Sequence, residues 1–159
     1  MVQVIPHSCT PVAKVTSIAK LMITVGGANV NDPNSKTSPL VLATNKSHVD
    51  VVQLLIDHGA IVDQRDALDR TPLLIACEKD YNSCAKVLLS AGANPNATDK
   101  KYGNTGLHHS ALNGNDCIAQ MLMDHGVSES VKNNSLMKAL TIARIRRPFK
   151  VVDVISKKS

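Results

Sequence analysis

Residues 38–60 read SPLVLATNKSHVDVVQLLIDHGA, and the fold can be predicted outward from this stretch. The hydroxyl of Ser38 can cap a helix, and Pro39 suits the first helical position because no hydrogen-bond donor is lost there. A short polar break leads to a second apolar run at 49–57. Gly59 then supplies the left-handed residue that commonly ends a helix. The stretch therefore predicts two short helices joined by a turn.

The same pattern recurs along the chain at a nearly constant spacing. One series advances in steps of 32, 33 and 34 residues: Gly-Ala at 27–28, 59–60 and 92–93, then Gly-Val at 126–127. A second series advances in the same register by 33 and 34 residues: Ser-Pro-Leu at 38–40, Thr-Pro-Leu at 71–73 and Thr-Gly-Leu at 105–107. Because two independent series agree, the chain contains an internal repeat.

Each repeat has an apolar face that it cannot cover by itself. In the first helix this face is predicted at offsets two, four and five from the capping residue: Leu40, Leu42 and Ala43, then Leu73, Ile75 and Ala76. With two Tyr, one Phe and no Trp in 159 residues, the core must be filled by aliphatic side chains. Neighbouring repeats must therefore stack to bury these faces.

These residues resemble the ankyrin repeat, which has a period of about 33 residues and a Thr-Pro-Leu-His signature. The resemblance covers about residues 18–156. It implies an all-α solenoid of stacked helix-turn-helix units with hairpin-like connecting turns. The predicted division is a degenerate or truncated first repeat at 1–31, repeats at 32–64, 65–98 and 99–131, and a C-terminal repeat with a basic cap at 132–159.

Composition predicts one globular domain, since 43% of residues are hydrophobic and 19% are charged. No apolar run reaches the roughly 18 residues that a membrane-spanning helix requires. The first residues do not resemble a secretory leader, so we expect a cytoplasmic or nuclear location. The cysteines occur singly, and we interpret all four as reduced core residues: Cys9, Cys77, Cys84 and Cys117.

Catalytic, metal and cofactor sites are not predicted. The repeat explains the positions of most of the six histidines. The adjacent pair His108 and His109 does not predict a metal site, because neighbouring side chains on a helix point in different directions. No nucleophile with a base and no phosphate-binding loop stands outside the repeat pattern, so we predict that the chain is not an enzyme. Gly106 replaces the usual Pro, and we expect it to make that helix start flexible.

Charge is concentrated at one end of the chain. Residues 132–159 carry eight basic side chains against Asp153 alone, a net charge of +7, whereas the remainder sums to −2. A basic end can attract an acidic protein, nucleic acid or an anionic membrane face. Nucleic acid is disfavoured because three aromatic residues cannot form a base-stacking platform. We favour an acidic protein partner and expect a monomer.

The resemblance also implies where a partner would bind, namely the turns and the exposed side of each first helix. The register places these residues there: Asn45, Lys46, Arg65, Leu68, Arg70, Glu78, Lys79, Lys101, Tyr102, Asn104, Leu112, Asn113, Ile145 and Arg146. Leu68, Tyr102 and Leu112 are predicted to be exposed apolar contacts beside basic residues, a composition typical of interface hot spots.

The predicted function is a protein-interaction scaffold or adaptor. One alternative is a regulatory or targeting module of a larger protein. Another is a basic C-terminal end that binds nucleic acid or anionic lipid. The resemblance adds one further hypothesis, since Asn96 occupies a turn position that is hydroxylated in some ankyrin proteins, with Leu88 at the expected upstream position.

Overall fold

A computed structural model describes residues 29–31, 38–146 and 149–157. The predicted first repeat therefore lies almost entirely outside the described residues. The same holds for Cys9 and for the Gly-Ala pair at 27–28.

The described residues form eight short helices that follow one another in four pairs. They are α1 (Pro39–Asn45), α2 (Val49–Asp57), α3 (Pro72–Glu78), α4 (Asn82–Ser90), α5 (Gly106–Asn113), α6 (Asp116–Asp124), α7 (Ala139–Arg146) and α8 (Phe149–Ser156). This part of the chain contains no strand, only isolated antiparallel bridges that join Thr98 to Thr105 and Lys132 to Lys138. The prediction of an all-helical solenoid with hairpin-like turns is confirmed.

The helix boundaries follow from the predicted local chemistry. The Ser38 hydroxyl accepts a hydrogen bond from the Leu40 amide at 3.2 Å, and the Thr71 hydroxyl accepts one from the Leu74 amide at 3.3 Å. Gly59 follows the second helix of its pair with a φ of +82°, a conformation that favours glycine. The capping residues and the closing glycine thus set these helix ends through interactions that are local in sequence.

The first helices of the pairs stack in one row and the second helices stack in another. Aliphatic side chains fill the space between the rows, and Leu40, Leu73 and Leu107 are buried at equivalent positions of successive first helices. The second helices contribute Leu88 and Leu122 to the same core. None of the described helices is long and apolar enough to cross a bilayer.

The predicted burial of Leu42 is wrong, because this side chain is 52% exposed. Leu42 lies two residues after Leu40, which is about 200° around a helix with 3.6 residues per turn. It therefore faces away from the core that Leu40 and Ala43 enter. Ile75, at the same offset in the next repeat, is fully buried, so the offset alone does not decide exposure. Unlike α1, α3 has a first helix of a described repeat packed on each side, namely α1 and α5.

Two of the described cysteines fit the predicted interior position and one does not. Cys77 and Cys84 are buried, and burial raises the pKa of the Cys77 thiol to about 12. Cys117 is exposed, because it lies near the start of α6 on the side that faces solvent. The interpretation of Cys117 as a core residue is wrong.

Gly106 is held in close packing, which corrects the expectation of a flexible helix start. The residue is buried, and a β-carbon added to it would lie 2.9 Å from Cys77 Sγ and 3.2 Å from a Leu122 methyl group. Glycine at this position lets the start of α5 approach Cys77 of the preceding repeat.

A ladder of side-chain hydrogen bonds joins equivalent turns of successive repeats. The side chains of Asn31, Asp63 and Asn96 accept backbone N–H groups that lie 30 to 32 residues further along the chain. The donors are the amides of Ile61 at 2.8 Å, Asn94 at 3.1 Å and Ser128 at 2.7 Å. These bonds fix the spacing between neighbouring turns. Hydroxylation of Asn96 stays a prediction.

Replacing Leu136 with Gly is expected to raise the free energy of unfolding by about 0.5–1 kcal/mol, because a left-handed backbone is unfavourable for a residue with a β-carbon. Leu136 has a φ of +59° and is 77% exposed, so little packing is lost with its side chain. Gly103 occupies the equivalent position of the preceding turn with a φ of +66°. Chemical denaturation of both proteins provides the measurement, and lower stability of the variant would contradict the prediction.

Candidate functional site

A surface cleft of about 410 Å³ lies between two neighbouring hairpin turns, at 65–70 and 99–104, and the helices that follow them. Its walls are formed by Ala67, Leu68, Arg70, Glu78, Asp99, Lys100, Lys101, Tyr102 and His109. The two large apolar side chains in these turns remain open to solvent, since Leu68 is 63% and Tyr102 is 51% exposed. We name this feature the turn cleft.

The first turn is held by Asp66 and Arg70. One Asp66 carboxylate oxygen accepts the backbone N–H groups of Leu68 and Arg70 at 2.9 and 2.8 Å. The other accepts Nε and Nη2 of the Arg70 guanidinium at 3.0 and 2.8 Å. Paired bonds of this kind are strong and directional. The turn therefore presents Leu68 on a backbone that is already ordered.

The pKa values of Asp66 and Arg70 reflect the contact between these two side chains. Burial alone would raise the pKa of Asp66, but hydrogen bonds from Arg70 and Leu68 and the Arg70 charge hold it below the ordinary value of 3.8. Burial would likewise lower the pKa of Arg70, whereas its bonds to Asp66 and Glu78 raise it. Both groups are consequently charged at neutral pH, and the ion pair persists.

The second turn is organised by Asp99, which is buried. One of its oxygens accepts the backbone N–H of Tyr102 at 2.6 Å, and the other lies 3.0 Å from Nε2 of His109 on α5. The backbone carbonyl of Tyr102 accepts the Asn134 amide at 2.8 Å. The turn that carries Tyr102 is thus fixed both to its own helix and to the next repeat.

The acidic side chains of the turn cleft are paired with neighbouring groups of the protein, whereas its two lysines take no part in these pairs. Glu78 pairs with Arg70 at 2.7 Å, and Asp99 pairs with His109. The ion pairs that line the cleft do not include Lys100 or Lys101, and Lys101 Nζ lies 4.7 Å from the centre of the Tyr102 ring. The cleft therefore offers two ammonium groups to a negatively charged ligand beside an apolar surface.

Five of the residues predicted from the sequence meet in the turn cleft: Leu68, Arg70, Glu78, Lys101 and Tyr102. Arg65 lies in the same turn as Leu68, where its guanidinium donates to the carbonyls of Asp69 and Thr98. The others lie outside the cleft. Lys79 Nζ is 3.5 Å from the carbonyl of half-buried Asn45, and the remaining exposed residues are Lys46, Ile145 and Arg146.

Two of the predicted contact residues are corrected. Asn104 is 4% exposed, because its side-chain oxygen accepts a hydrogen bond from Asn133 of the next repeat. Leu112 is half-buried against the core, and α7 packs on α5. Asn113 lies at the surface, where its amide donates to the Glu78 carbonyl and to Asp80, and its contact with a partner stays a prediction.

Four lining residues were not predicted, namely Ala67, Asp99, Lys100 and His109. Lys100 lies in the turn that is one residue longer than its neighbours, so the repeat register gives it no counterpart. The short spacing between Asp99 and His109, ten residues across a helix start, is the signal that could have indicated their side-chain contact. No cluster of potential metal ligands occurs in the described part of the chain.

Comparison with protein-family models gives two matches. A model described as ankyrin repeats in three copies matches residues 12–99, which is more than half of the chain. A single ankyrin-repeat model matches residues 102–131.

Curated relatives resemble the chain over its repeats. Identity is 40% over 87 residues with human ankyrin repeat and SOCS box protein 6 and 34% over 106 residues with rabbit ankyrin repeat and SOCS box protein 5. It is 36% over 114 residues with the E3 ubiquitin-protein ligase XBAT33 of Arabidopsis thaliana. These alignments cover 52%, 67% and 71% of the chain, but only 20%, 32% and 20% of the respective relatives. The chain thus spans a third or less of their length.

Proposed function

Because this chain belongs to the ankyrin repeat family, we propose that it is a protein-docking module whose turn cleft receives an acidic segment of another protein. Ankyrin repeats generally mediate protein–protein interaction. The observation that carries the proposal is that Leu68 and Tyr102, from two different repeats, are exposed in one cleft beside Lys100 and Lys101.

The chemistry of the cleft defines the ligand that fits it. Leu68, Ala67 and the Tyr102 ring form an apolar surface that an aliphatic or aromatic side chain of the partner can cover. The ammonium groups of Lys100 and Lys101 lie where a carboxylate beside that side chain would be neutralised. We therefore propose a segment in which an apolar residue is flanked by Asp or Glu.

Order in the two turns supports docking rather than induced folding. The bonds from Asp66, Arg70 and Asp99 hold the turns before a ligand arrives. A rigid site loses less conformational entropy on binding than a flexible one. The proposal contains no catalytic step, and binding alone accounts for the arrangement of these residues.

Replacing Leu68 and Tyr102 together with Ala is expected to weaken partner binding at least about tenfold, because hot-spot side chains contribute on this scale. A partner enriched from cell extract and then purified is titrated calorimetrically into the wild type and the variant. Ile61→Ala is the matched control, since Ile61 is an exposed apolar residue outside the cleft with 55% exposure. The melting temperature should change little in either protein.

Two results of this experiment would contradict the proposal. Unchanged affinity in the double variant would mean that the partner binds elsewhere. An equal loss in the Ile61 control would indicate a general effect on the fold. Lys100→Gln with Lys101→Gln tests the charge preference separately. This double variant should weaken the binding of an acidic segment and leave the binding of an uncharged segment unchanged.

We also propose a cytoplasmic or nuclear location for the chain. Support comes from the thiols of Cys77, Cys84 and Cys117, which are free in the structure, as is usual in reducing compartments. Imaging of a tagged full-length protein tests this proposal, and accumulation in the secretory pathway would contradict it.

A further inference from the structure

The end of α7 and the start of α8 expose two large apolar side chains. Ile145, in the last turn of α7, is 68% exposed, and Phe149, the first residue of α8, is 77% exposed. Equivalent first positions in the second helices of the other pairs hold Val49, Asn82 and Asp116. A phenyl ring at the start of a second helix is therefore peculiar to the last described pair.

Basic side chains adjoin the two apolar residues along the chain. Arg144, Arg146 and Lys150 are exposed on the same two helix ends. The sequence contains no acidic residue from 132 to 152. We name residues 144–146 and 149–150 the basic helix ends, and they combine a local excess of positive charge with exposed apolar side chains.

We propose that the basic helix ends bind an anionic membrane surface, with Phe149 and Ile145 entering the interface and the neighbouring Arg and Lys side chains meeting the lipid headgroups. Peripheral membrane binding depends on this combination, since apolar side chains gain by leaving water and each nearby Lys or Arg gains from the negative surface potential. No span of the bilayer is involved. The inference is independent of the turn cleft.

The geometry favours a membrane over the other anionic ligands. Phosphates of nucleic acid would satisfy the cations but leave Ile145 and Phe149 in water. The hairpin turn at 132–138 bonds to the Tyr102 turn of the cleft through Asn134 and precedes α7. The far end of α7 therefore lies about 12 Å from that turn, at 1.5 Å per residue. A protein held in the turn cleft and a membrane at the basic helix ends can be bound together.

A tryptophan at position 149 gives a direct readout, because the natural chain has no tryptophan. The Phe149→Trp protein is mixed with phosphatidylcholine vesicles or with vesicles that also contain phosphatidylserine. We expect a blue shift of the emission with the anionic vesicles only. Ile61→Trp, at an exposed site away from the basic helix ends, is the control and should show no shift.

Vesicle co-sedimentation measures the separate contributions of charge and apolar contact. Arg146→Gln should lower partitioning onto anionic vesicles about fivefold, the effect of one basic residue near such a surface. Phe149→Ser should lower it by at least about fivefold, because less apolar area is buried. The matched controls are Lys86→Gln and Ile61→Ser, which change one exposed residue of each kind elsewhere and should bind like the wild type.

Three outcomes would overturn the proposal. The first is no partitioning onto anionic vesicles by wild-type protein whose circular dichroism shows the folded state. The second is equal binding to neutral and anionic vesicles, which would remove the role of charge. The third is unchanged binding of Phe149→Ser together with competition by duplex DNA, which would indicate a phosphate contact and a nucleic-acid ligand.

Discussion

Replacing His108 with Ala is expected to lower the free energy of unfolding by about 3 kcal/mol, because three hydrogen bonds and a buried ring are lost together. His108 is 1% exposed, and its Nδ1 accepts the Thr105 backbone N–H at 3.1 Å and lies 2.8 Å from the Thr105 hydroxyl. Its Nε2 lies 3.0 Å from the carbonyl of Met137 in the next repeat. The single side chain therefore both starts α5 and joins two repeats.

Urea denaturation of wild type and variant measures this loss. His125→Ala is the control, since His125 is an exposed histidine whose Nδ1 lies 2.8 Å from the carbonyl of Met121, one turn earlier in the chain. A loss below about 1 kcal/mol in His108→Ala, as for a surface substitution, would contradict the prediction.

The same histidine is expected to make stability depend on pH. Its bonds require the neutral ring, with Nδ1 as acceptor and Nε2–H as donor to Met137. Burial lowers the pKa of His108 below the ordinary value of 6.5, and the Met137 carbonyl opposes this only in part. The unfolded chain therefore takes up the proton first as pH falls.

Stability from His108 is accordingly complete above about pH 6.5 and decreases below it. Denaturation at a series of pH values should show a steeper decline for wild type than for His108→Ala. Because His109 and Asp99 remain in both proteins, their contribution cancels in the difference. Parallel curves for the two proteins would contradict the assignment of the neutral ring.

Most of the fold was predictable because each repeat is specified locally. Ser38 and Thr71 cap helices through their own hydroxyls, and Gly59 ends a helix through its own backbone conformation. These effects depend on residues within one turn of the chain. The repeat register then aligned Leu68 and Tyr102 in neighbouring turns, so their meeting in the turn cleft also followed from the period.

Errors arose where one repeat covers another. Asn104 was expected at the surface, but Asn133, 29 residues further along the chain, bonds to it and excludes solvent. Leu112 becomes half-buried for the same reason, because α7 packs on α5. Burial by a neighbouring repeat depends on the shapes of both surfaces, and the period alone contains no information about them.

Replacing Gly106 with Pro is expected to lower the free energy of unfolding by about 2 kcal/mol, although Pro is the residue found at this position in the two preceding repeats, as Pro39 and Pro72. The backbone itself would accept proline. Thr105 is already extended, with φ −84° and ψ 171°, and the first helical N–H needs no partner. Proline would then stabilise by about 0.4–1 kcal/mol if packing allowed it.

Packing reverses that expectation, because an added β-carbon would lie 2.9 Å from Cys77 Sγ. The decisive experiment is a double-mutant cycle by chemical denaturation. If crowding against the thiol is the cause, Cys77→Ala should lower the free energy of unfolding less in the Gly106→Pro protein than in the wild type. We expect a difference of at least about 1 kcal/mol, since the two sites are in contact. Additive effects, or a Gly106→Pro protein more stable than wild type, would show that the glycine is not required by its neighbour. A favourable coupling would instead show that Cys77 and Gly106 act as one packing unit across two repeats.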